Sequence, residues 1–246
     1  MSLDLAGAFL LTLISAVAIG LPAIWYTRAP GGFALLAAHI LWFVAVVVLA
    51  ASGVLTWRLE LGAPLLALAI VIPIVVLVAL ATLVPGVRRA LSAIPLPALI
   101  AVHAIRIIGF LFLLLFAAGR LSAPFAPSAG WGDIVAGATA VPVAWALASR
   151  APGARWLVVL WNSIGLLDLI SAAGLGMTSA AGSPLQVFFD APGSAVMATL
   201  PWAIIPVFLV PQLIVGHLAV YWRLGRPAGA LADGLRANEG RFVATP

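Results

Sequence analysis

Two ionisable residues three positions apart, His103 and Arg106, lie in the middle of a long apolar stretch of the chain. Residues three apart on a helix share a face, so both side chains are expected to point the same way. Asp168 lies inside another apolar stretch. Because an unpaired charge inside a bilayer is strongly disfavoured, we predict that Arg106 pairs with Asp168. Asp133 is a shallower competitor, and a purely architectural ion pair is the alternative interpretation.

A second polar layer is predicted nearer the inner ends of the same apolar stretches. We counted about 1.5 Å of rise per residue from each inner end, which gives depths of about 7 to 13 Å for this layer and about 18 Å for Arg106 and Asp168. The members are His39, Asn162, His217 and, deepest, His103. A track of titratable and hydrogen-bonding groups suits the passage of a proton or a small solute.

Three kinds of chemistry are open to the histidines. Each can hydrogen-bond a neighbouring helix and simply hold the bundle together. His103 and His217, on different helices, can ligate a haem. Together with His39 they can form a metal site that activates water, with an aspartate as acid or base. A seven-helix hydrolase of that kind is expected to carry His-x-x-x-His on its last helix, but Tyr221 stands four residues after His217.

The last apolar stretch contains Pro201, Pro206 and Pro211, which recur every five residues. Proline has no backbone N–H, so each one removes a helical hydrogen bond and frees a carbonyl group. The spacing predicts a kinked or broken helix, and broken helices in membrane bundles often line substrate cavities. A static kink that only serves packing is the alternative.

Membrane-spanning helices are the elements expected to position these residues. The chain is 65% hydrophobic and only 8% charged, with a mean hydropathy of +1.24, far above that of soluble domains. Continuous apolar runs of about 20 residues can cross the bilayer as helices, and they lack the alternation of barrel strands. We therefore predict an all-α, seven-transmembrane-helix bundle over residues 1–224. Its segments 1 to 7 are residues 5–26, 33–57, 64–87, 94–118, 131–148, 156–175 and 198–222.

Arginine placement predicts the orientation of the bundle. Short arginine-rich loops stay on the cytoplasmic side of the membrane. Nine of the twelve arginines follow odd-numbered segments, two follow even-numbered segments, and Arg106 lies within segment 4. We expect a multi-pass protein of the cytoplasmic membrane with its N-terminus outside and its C-terminus inside, where residues 225–246 form a flexible tail. The nine are Arg28, Arg88, Arg89, Arg150, Arg155, Arg223, Arg226, Arg236 and Arg241, and the two are Arg58 and Arg120.

The amino acids that are missing remove several function classes. The chain has no lysine among its basic residues, and retinal needs a lysine amine for its Schiff base, so a retinal-binding opsin is excluded. The chain also has no cysteine, which removes disulfides, thiolate metal sites and haem attached through cysteine. The net charge of +5 follows from the topology and does not indicate a nucleic-acid partner. The expected partners are the lipid bilayer and a small-molecule or ion ligand.

The leading functional hypothesis is a small-molecule or proton-coupled transporter with its site between segments 4, 6 and 7. Arg106 would hold an anionic group or the Asp168 carboxylate, Asp168 would exchange the proton, and the histidines would form a relay to the cytoplasm. A haem b redox protein with His103 and His217 as axial ligands is the principal alternative. A membrane-embedded lipid-modifying metalloenzyme and a non-catalytic membrane subunit are further alternatives, and no catalytic residue is assigned.

Overall fold

The fold is all-helical over the part of the chain that the structure, a computed structural model, describes, which is residues 2–56 and 59–225. Seven of its helices are long and apolar enough to cross a membrane. The predictions of an all-α fold and of seven helices long and apolar enough to span a membrane are therefore confirmed. Arg58 and the predicted tail from residue 226 onward lie outside the described residues.

The bounds of the seven helices lie close to the predicted ones in segments 1, 4 and 6. In chain order the helices are Leu3–Tyr26, Gly32–Ala51, Leu59–Leu83, Leu96–Ala117, Phe125–Ala148, Ala154–Thr178 and Ile205–Leu224. Segment 2 ends six residues before the predicted boundary. Segment 3 ends four residues before the predicted boundary, and a separate short helix, Pro85–Ser92, follows it. The new helix begins at Pro85 because proline, which lacks an N–H, fits the first turn of a helix.

Segment 5 begins at Phe125, six residues before the predicted start at residue 131. Pro127 and Gly130 make this stretch resemble a loop in the sequence. Pro127 nevertheless falls in the first helical turn, where backbone N–H groups have no intrahelical acceptor in any case. The other end of segment 5 is at Ala148, as predicted, but the extra turns place Asp133 eight residues from the start of the helix instead of two.

Segment 7 begins at Ile205 and not at residue 198, so its irregularity is confined to its first turns. Pro201 lies in a turn before the helix and does not interrupt it, which corrects the prediction for this residue. Pro206 lies in one wide turn of π-helix, Ile205–Leu209. Pro211 lies in the first turn of the regular α-helix that follows, Val210–Leu224, where proline is tolerated.

Segment 4 changes its winding in the middle of the bundle. Residues Val102–Gly109 form a 3₁₀-helix between the α-helical pieces Leu96–Ala101 and Phe110–Ala117. In a 3₁₀-helix, residues three apart are eclipsed on one face. His103 and Arg106 have this spacing, so both point into the centre of the bundle, where both are buried.

Segments 4 and 7 form the centre of the bundle, and segments 2 and 3 lie at its periphery. Buried residues make up 61% of the most apolar stretch of segment 4 and 56% of that of segment 7, against 11% in segment 2 and 6% in segment 3. The exposed faces of the outer segments carry large apolar side chains such as Phe33, Leu41 and Val75. Such surfaces are compatible with insertion into a bilayer.

Polar contacts tie the helices together at both ends of the bundle. At one end, the Asp4 carboxylate accepts hydrogen bonds from Arg120 Nη1 at 2.7 Å and from Trp202 Nε1 at 2.8 Å. At the opposite end, Arg223 Nη1 donates to the backbone oxygens of Ser92 at 3.1 Å and Ile94 at 2.9 Å. The start of segment 1 therefore lies at one end, and the end of segment 7 at the other.

Candidate functional site

Arg106 occupies the centre of the bundle and uses all three of its guanidinium nitrogens. It is 1% exposed. Its Nε donates to Asp133 Oδ1 at 2.7 Å, and its Nη2 donates to the Asp168 carboxylate. Its Nη1 donates to the Gly165 backbone oxygen at 3.0 Å and lies 3.2 Å from His217 Nε2. We call Arg106, Asp133, Asp168 and His217 the arginine cluster, which joins segments 4, 5, 6 and 7.

The ion pair between Arg106 and Asp168 that the depth count predicts is present in the structure. Asp133, however, binds the same guanidinium group at the same time and does not compete for it. Both pairs can form because Nε and Nη2 lie at different positions on the planar fork of an arginine. A single guanidinium group therefore accommodates two carboxylates from two different helices.

The hydrogen bonds define the protonation of His217. Arginine nitrogens only donate, so His217 Nε2 must accept and carries no proton. Its Nδ1 therefore carries the proton of a neutral ring and donates to Asn162 Oδ1 at 2.8 Å. Asn162 Nδ2 in turn donates to the His217 backbone oxygen at 3.1 Å. This reciprocal pair fixes the imidazole with its unprotonated nitrogen towards Arg106.

The charges in the arginine cluster do not balance when both aspartates are ionised, because one guanidinium group faces two carboxylates. The side chain of Arg106 is fully buried, whereas those of Asp133 and Asp168 are 13% and 15% exposed. One proton on either carboxyl group would neutralise the set. The arrangement can thus bind a proton, and a protonated carboxyl group would release its hold on the guanidinium group.

Glycines let the backbones approach the charged groups. A Cβ atom at Gly132 would overlap the Asp168 carboxylate, and one at Gly165 would lie 2.7 Å from His217 Cε1. Gly109 similarly allows the backbone of segment 5 to pass close to segment 4. These glycines are not among the predicted site residues, although those on segments 5 and 6 lie within about one turn of an ionisable residue in the sequence.

His103 lies beside the arginine cluster and contacts it through His217. The two ring centroids are 4.1 Å apart, with 43° between the ring planes, and both rings pack against Trp161. Neither nitrogen of the fully buried His103 has a hydrogen-bond partner among the described residues. Two axial ligands of one haem must stand on opposite faces of the porphyrin. Rings in direct contact leave no space for that plane, so this pair does not fit haem b.

His39 bonds to Gln212 and not to His103 or His217. Its Nε2 lies 3.1 Å from Gln212 Oε1, and its ring stacks on Trp42 with centroids 5.8 Å apart. Gln212 and His217 are five residues apart, which places them on different faces of segment 7. Within residues 2–56 and 59–225, no group of three His, Asp or Glu side chains is placed to hold a metal ion. The predicted three-histidine metal site is therefore not formed.

A further polar pair extends the track towards the end of the bundle that contains Arg223. Ser163 Oγ and Tyr221 Oη lie 2.5 Å apart, next to Asn162 on segment 6 and one turn beyond His217 on segment 7. This contact is not among those predicted from the sequence. Hydrogen-bonding side chains thus run from Asp168 through Arg106, His217 and Asn162, with Ser163 and Tyr221 alongside.

Comparison with known families gives one match. A family model described as a domain of unknown function, DUF8737, matches residues 63–225. The matched region contains segments 4 to 7 and so includes the complete arginine cluster. No curated protein and no solved structure matches the chain.

Proposed function

The chain belongs to the DUF8737 family of unknown function, and from its arginine cluster we propose that it is a proton-coupled transporter of a small molecule in the cytoplasmic membrane. The observation that carries the proposal is one buried guanidinium group bound by two carboxylates. Arg106 is the eleventh of the 22 residues of segment 4, so the cluster lies midway along a spanning helix. Ionisable groups at such a depth are by default candidates for proton or solute pathways.

The proposed mechanism depends on the net charge of the arginine cluster. With both aspartates ionised, the cluster has an excess negative charge in a medium of low dielectric constant, which is costly. Uptake of one proton by Asp168 removes that excess and weakens its hold on Arg106 Nη2. The freed N–H group can then donate to an anionic group of the substrate. Proton and substrate would therefore bind together and cross the membrane together.

The neighbouring polar side chains support a proton route on one side of the cluster. His217 presents an unprotonated nitrogen to Arg106, and its other nitrogen is bonded to Asn162. The Ser163–Tyr221 pair lies one turn further along. We propose that this end faces the cytoplasm, as the arginine count favours, with the N-terminus outside.

A cavity at the end of the bundle that contains Arg120 supports entry of a substrate from that side. Its volume is about 340 Å³, and Met177 and Thr199 line it. The π-helical turn of segment 7 ends eight residues before His217, about 12 Å along the helix, and offers a place at which the helix can bend.

Proton-coupled uptake in proteoliposomes tests the proposal. The vesicles enclose a pH-sensitive dye and are offered monocarboxylates, inorganic phosphate and amino acids as probes. We expect at least one probe to acidify the interior with the wild-type protein. Asp168→Asn should abolish the acidification because it keeps the shape of the side chain but cannot exchange the proton.

Ser171→Ala is the matched control, since Ser171 is an exposed residue on the same helix within one turn of Asp168. It should transport like the wild type. Thermal unfolding of each purified variant reports whether the bundle is intact. Undiminished proton coupling in folded Asp168→Asn would contradict the proposal, and so would the absence of proton movement with every probe.

A further inference from the structure

A cavity of about 430 Å³ lies between segments 1, 2, 3 and 7, with segment 4 as its inner wall. Its volume falls within the range of small-molecule binding sites, which is about 300 to 1,000 Å³. Most of its lining is aliphatic, and none of the described side chains that line it carries a full charge at neutral pH. A ligand that fits these walls is mainly apolar and has no net charge.

The few polar groups in the lining include two that have no partner. Tyr26 is 2% exposed and His103 is 0% exposed, yet the Tyr26 hydroxyl and both His103 nitrogens make no hydrogen bond within the described residues. A buried polar group without a hydrogen bond costs roughly 1 to 3 kcal/mol, and such groups are rare in native structures. His39 and Gln212 also line the cavity but bind each other.

The cavity reaches the outer surface of the bundle along segment 3. Ile72, Val76 and Leu80 all line it, and these side chains are still 54%, 48% and 38% exposed. Ala38 on segment 2 also lines the cavity and is exposed. In a bilayer this surface faces acyl chains. A molecule dissolved in the membrane can therefore enter between segments 2 and 3 without passing through water.

We propose that this cavity binds a neutral lipid-like molecule with a hydroxyl head group. The head group hydrogen-bonds to His103, and the apolar chain lies against segments 2 and 3. A neutral imidazole has one donor and one acceptor nitrogen, which complements a hydroxyl group that both donates and accepts. The inference goes beyond the proposed function, because binding here requires no proton movement in the arginine cluster.

Photoaffinity labelling tests the proposal on the full chain in lipid nanodiscs. The probe is dodecanol with a diazirine in the middle of its chain, and labelled residues are mapped by mass spectrometry. We expect labelling of cavity residues on segments 2, 3 and 7. Dodecanol should compete with the probe at a roughly tenfold lower concentration than dodecane, dodecanoate or dodecyltrimethylammonium. A tenfold ratio corresponds to about the free energy of one hydrogen bond.

Matched variants on segment 2 locate the site. Ala38 lines the cavity, whereas its neighbour Ala37 is exposed but does not line it. Ala38→Phe fills the cavity and should reduce the labelling that dodecanol competes away at least roughly tenfold. Ala37→Phe should leave that labelling unchanged. His103→Phe should abolish the preference for dodecanol over dodecane.

Three results would overturn the proposal. They are labelling confined to outward-facing residues such as Phe9 and Leu41, equal effects of the two phenylalanine variants, and equal competition by dodecanol and dodecane. Labelling is repeated with Asp168→Asn, which should bind the probe like the wild type. If Asp168→Asn loses proton coupling but is still labelled, the arginine cluster and the cavity can fail independently of each other.

Discussion

Arg106 organises the centre of the molecule because its guanidinium group reaches three other helices at once. Nε, Nη1 and Nη2 point in different directions within one plane and contact segments 5, 6 and 7. A lysine ammonium group is a single point of charge without this fork, so it cannot make the same set of contacts. The position therefore requires arginine and not simply a positive charge.

Removing Arg106 should be more damaging than removing the whole charged set. Arg106→Leu leaves Asp133 and Asp168 buried without a counter-charge and should lower the free energy of unfolding by roughly 3 to 5 kcal/mol. The triple variant Arg106→Leu/Asp133→Asn/Asp168→Asn should recover much of that loss. Thermal and denaturant unfolding of the purified proteins in detergent measures both.

The exposed ion pair between Arg120 and Asp4 is the control for this comparison. The side chains of Arg120 and Asp4 are 34% and 52% exposed. Arg120→Leu should cost less than about 1 kcal/mol because surface ion pairs contribute little. A triple variant no more stable than Arg106→Leu would show that the two carboxylates do not repel each other in the fold.

At this scale the sequence predicts the pairing of Arg106 with Asp168 but not the role of Asp133. The depth count succeeded for segments 4 and 6 because their predicted ends are close to the observed ones. Segment 5 begins six residues earlier than predicted, although its other end, Ala148, is as predicted, so Asp133 lies about 12 Å from the first residue of the helix and not about 3 Å. Depth says nothing about which face of its helix a residue occupies, so it does not predict that His39 bonds to Gln212 instead of His217.

Two local departures from α-helical geometry decide how the elements present the site. The 3₁₀ stretch of segment 4 aligns His103 with Arg106, and the π turn of segment 7 widens that helix at Pro206. An apolar run predicts a spanning helix, but its local winding depends on packing against neighbours. Hydrophobic pattern alone could therefore not predict the 3₁₀ stretch, whereas the prolines of segment 7 did predict an irregular helix there.

The packing of segment 1 against the turn before segment 7 should depend on a close contact between Gly7 and Trp202. Trp202 is 0% exposed, and a Cβ atom at Gly7 would lie 2.6 Å from its Cη2. Gly7→Ala should therefore lower the free energy of unfolding by roughly 1 to 3 kcal/mol through overpacking. Thermal unfolding in detergent measures the effect.

Gly20 provides a control on the same helix, since a Cβ atom there would have no neighbour within 4 Å. Gly20→Ala should be neutral or stabilising by up to about 1 kcal/mol, because alanine favours the helix more than glycine does. If the two alanine variants unfold at the same temperature, Trp202 does not hold the ends of these helices together.

On the scale of the whole molecule, a well-packed centre is surrounded by loosely attached helices. Segments 4 and 7 supply the buried centre, and segments 2 and 3 add few buried residues of their own. The region matched by the family model includes the centre and segment 3 but not segments 1 and 2. Arg106 and His217 thus lie on the two segments with the largest buried share.

Single cysteines should report the orientation without background, because the chain has none of its own. Ala181 and Ser149 are exposed residues after segments 6 and 5. With the N-terminus outside, a membrane-impermeant maleimide should label Ala181→Cys in intact cells and Ser149→Cys only after permeabilisation. The reverse pattern would place the N-terminus in the cytoplasm.

The position of Arg106 halfway along segment 4 has an electrical consequence for the proposed transporter. A proton that reaches the cluster from one side crosses about half of the membrane potential, which is worth about 1 kcal/mol at 100 mV. The fraction of molecules that hold the proton then changes several-fold with voltage at constant pH. An energised membrane would favour proton binding to the cluster from its positive side and proton release on its negative side.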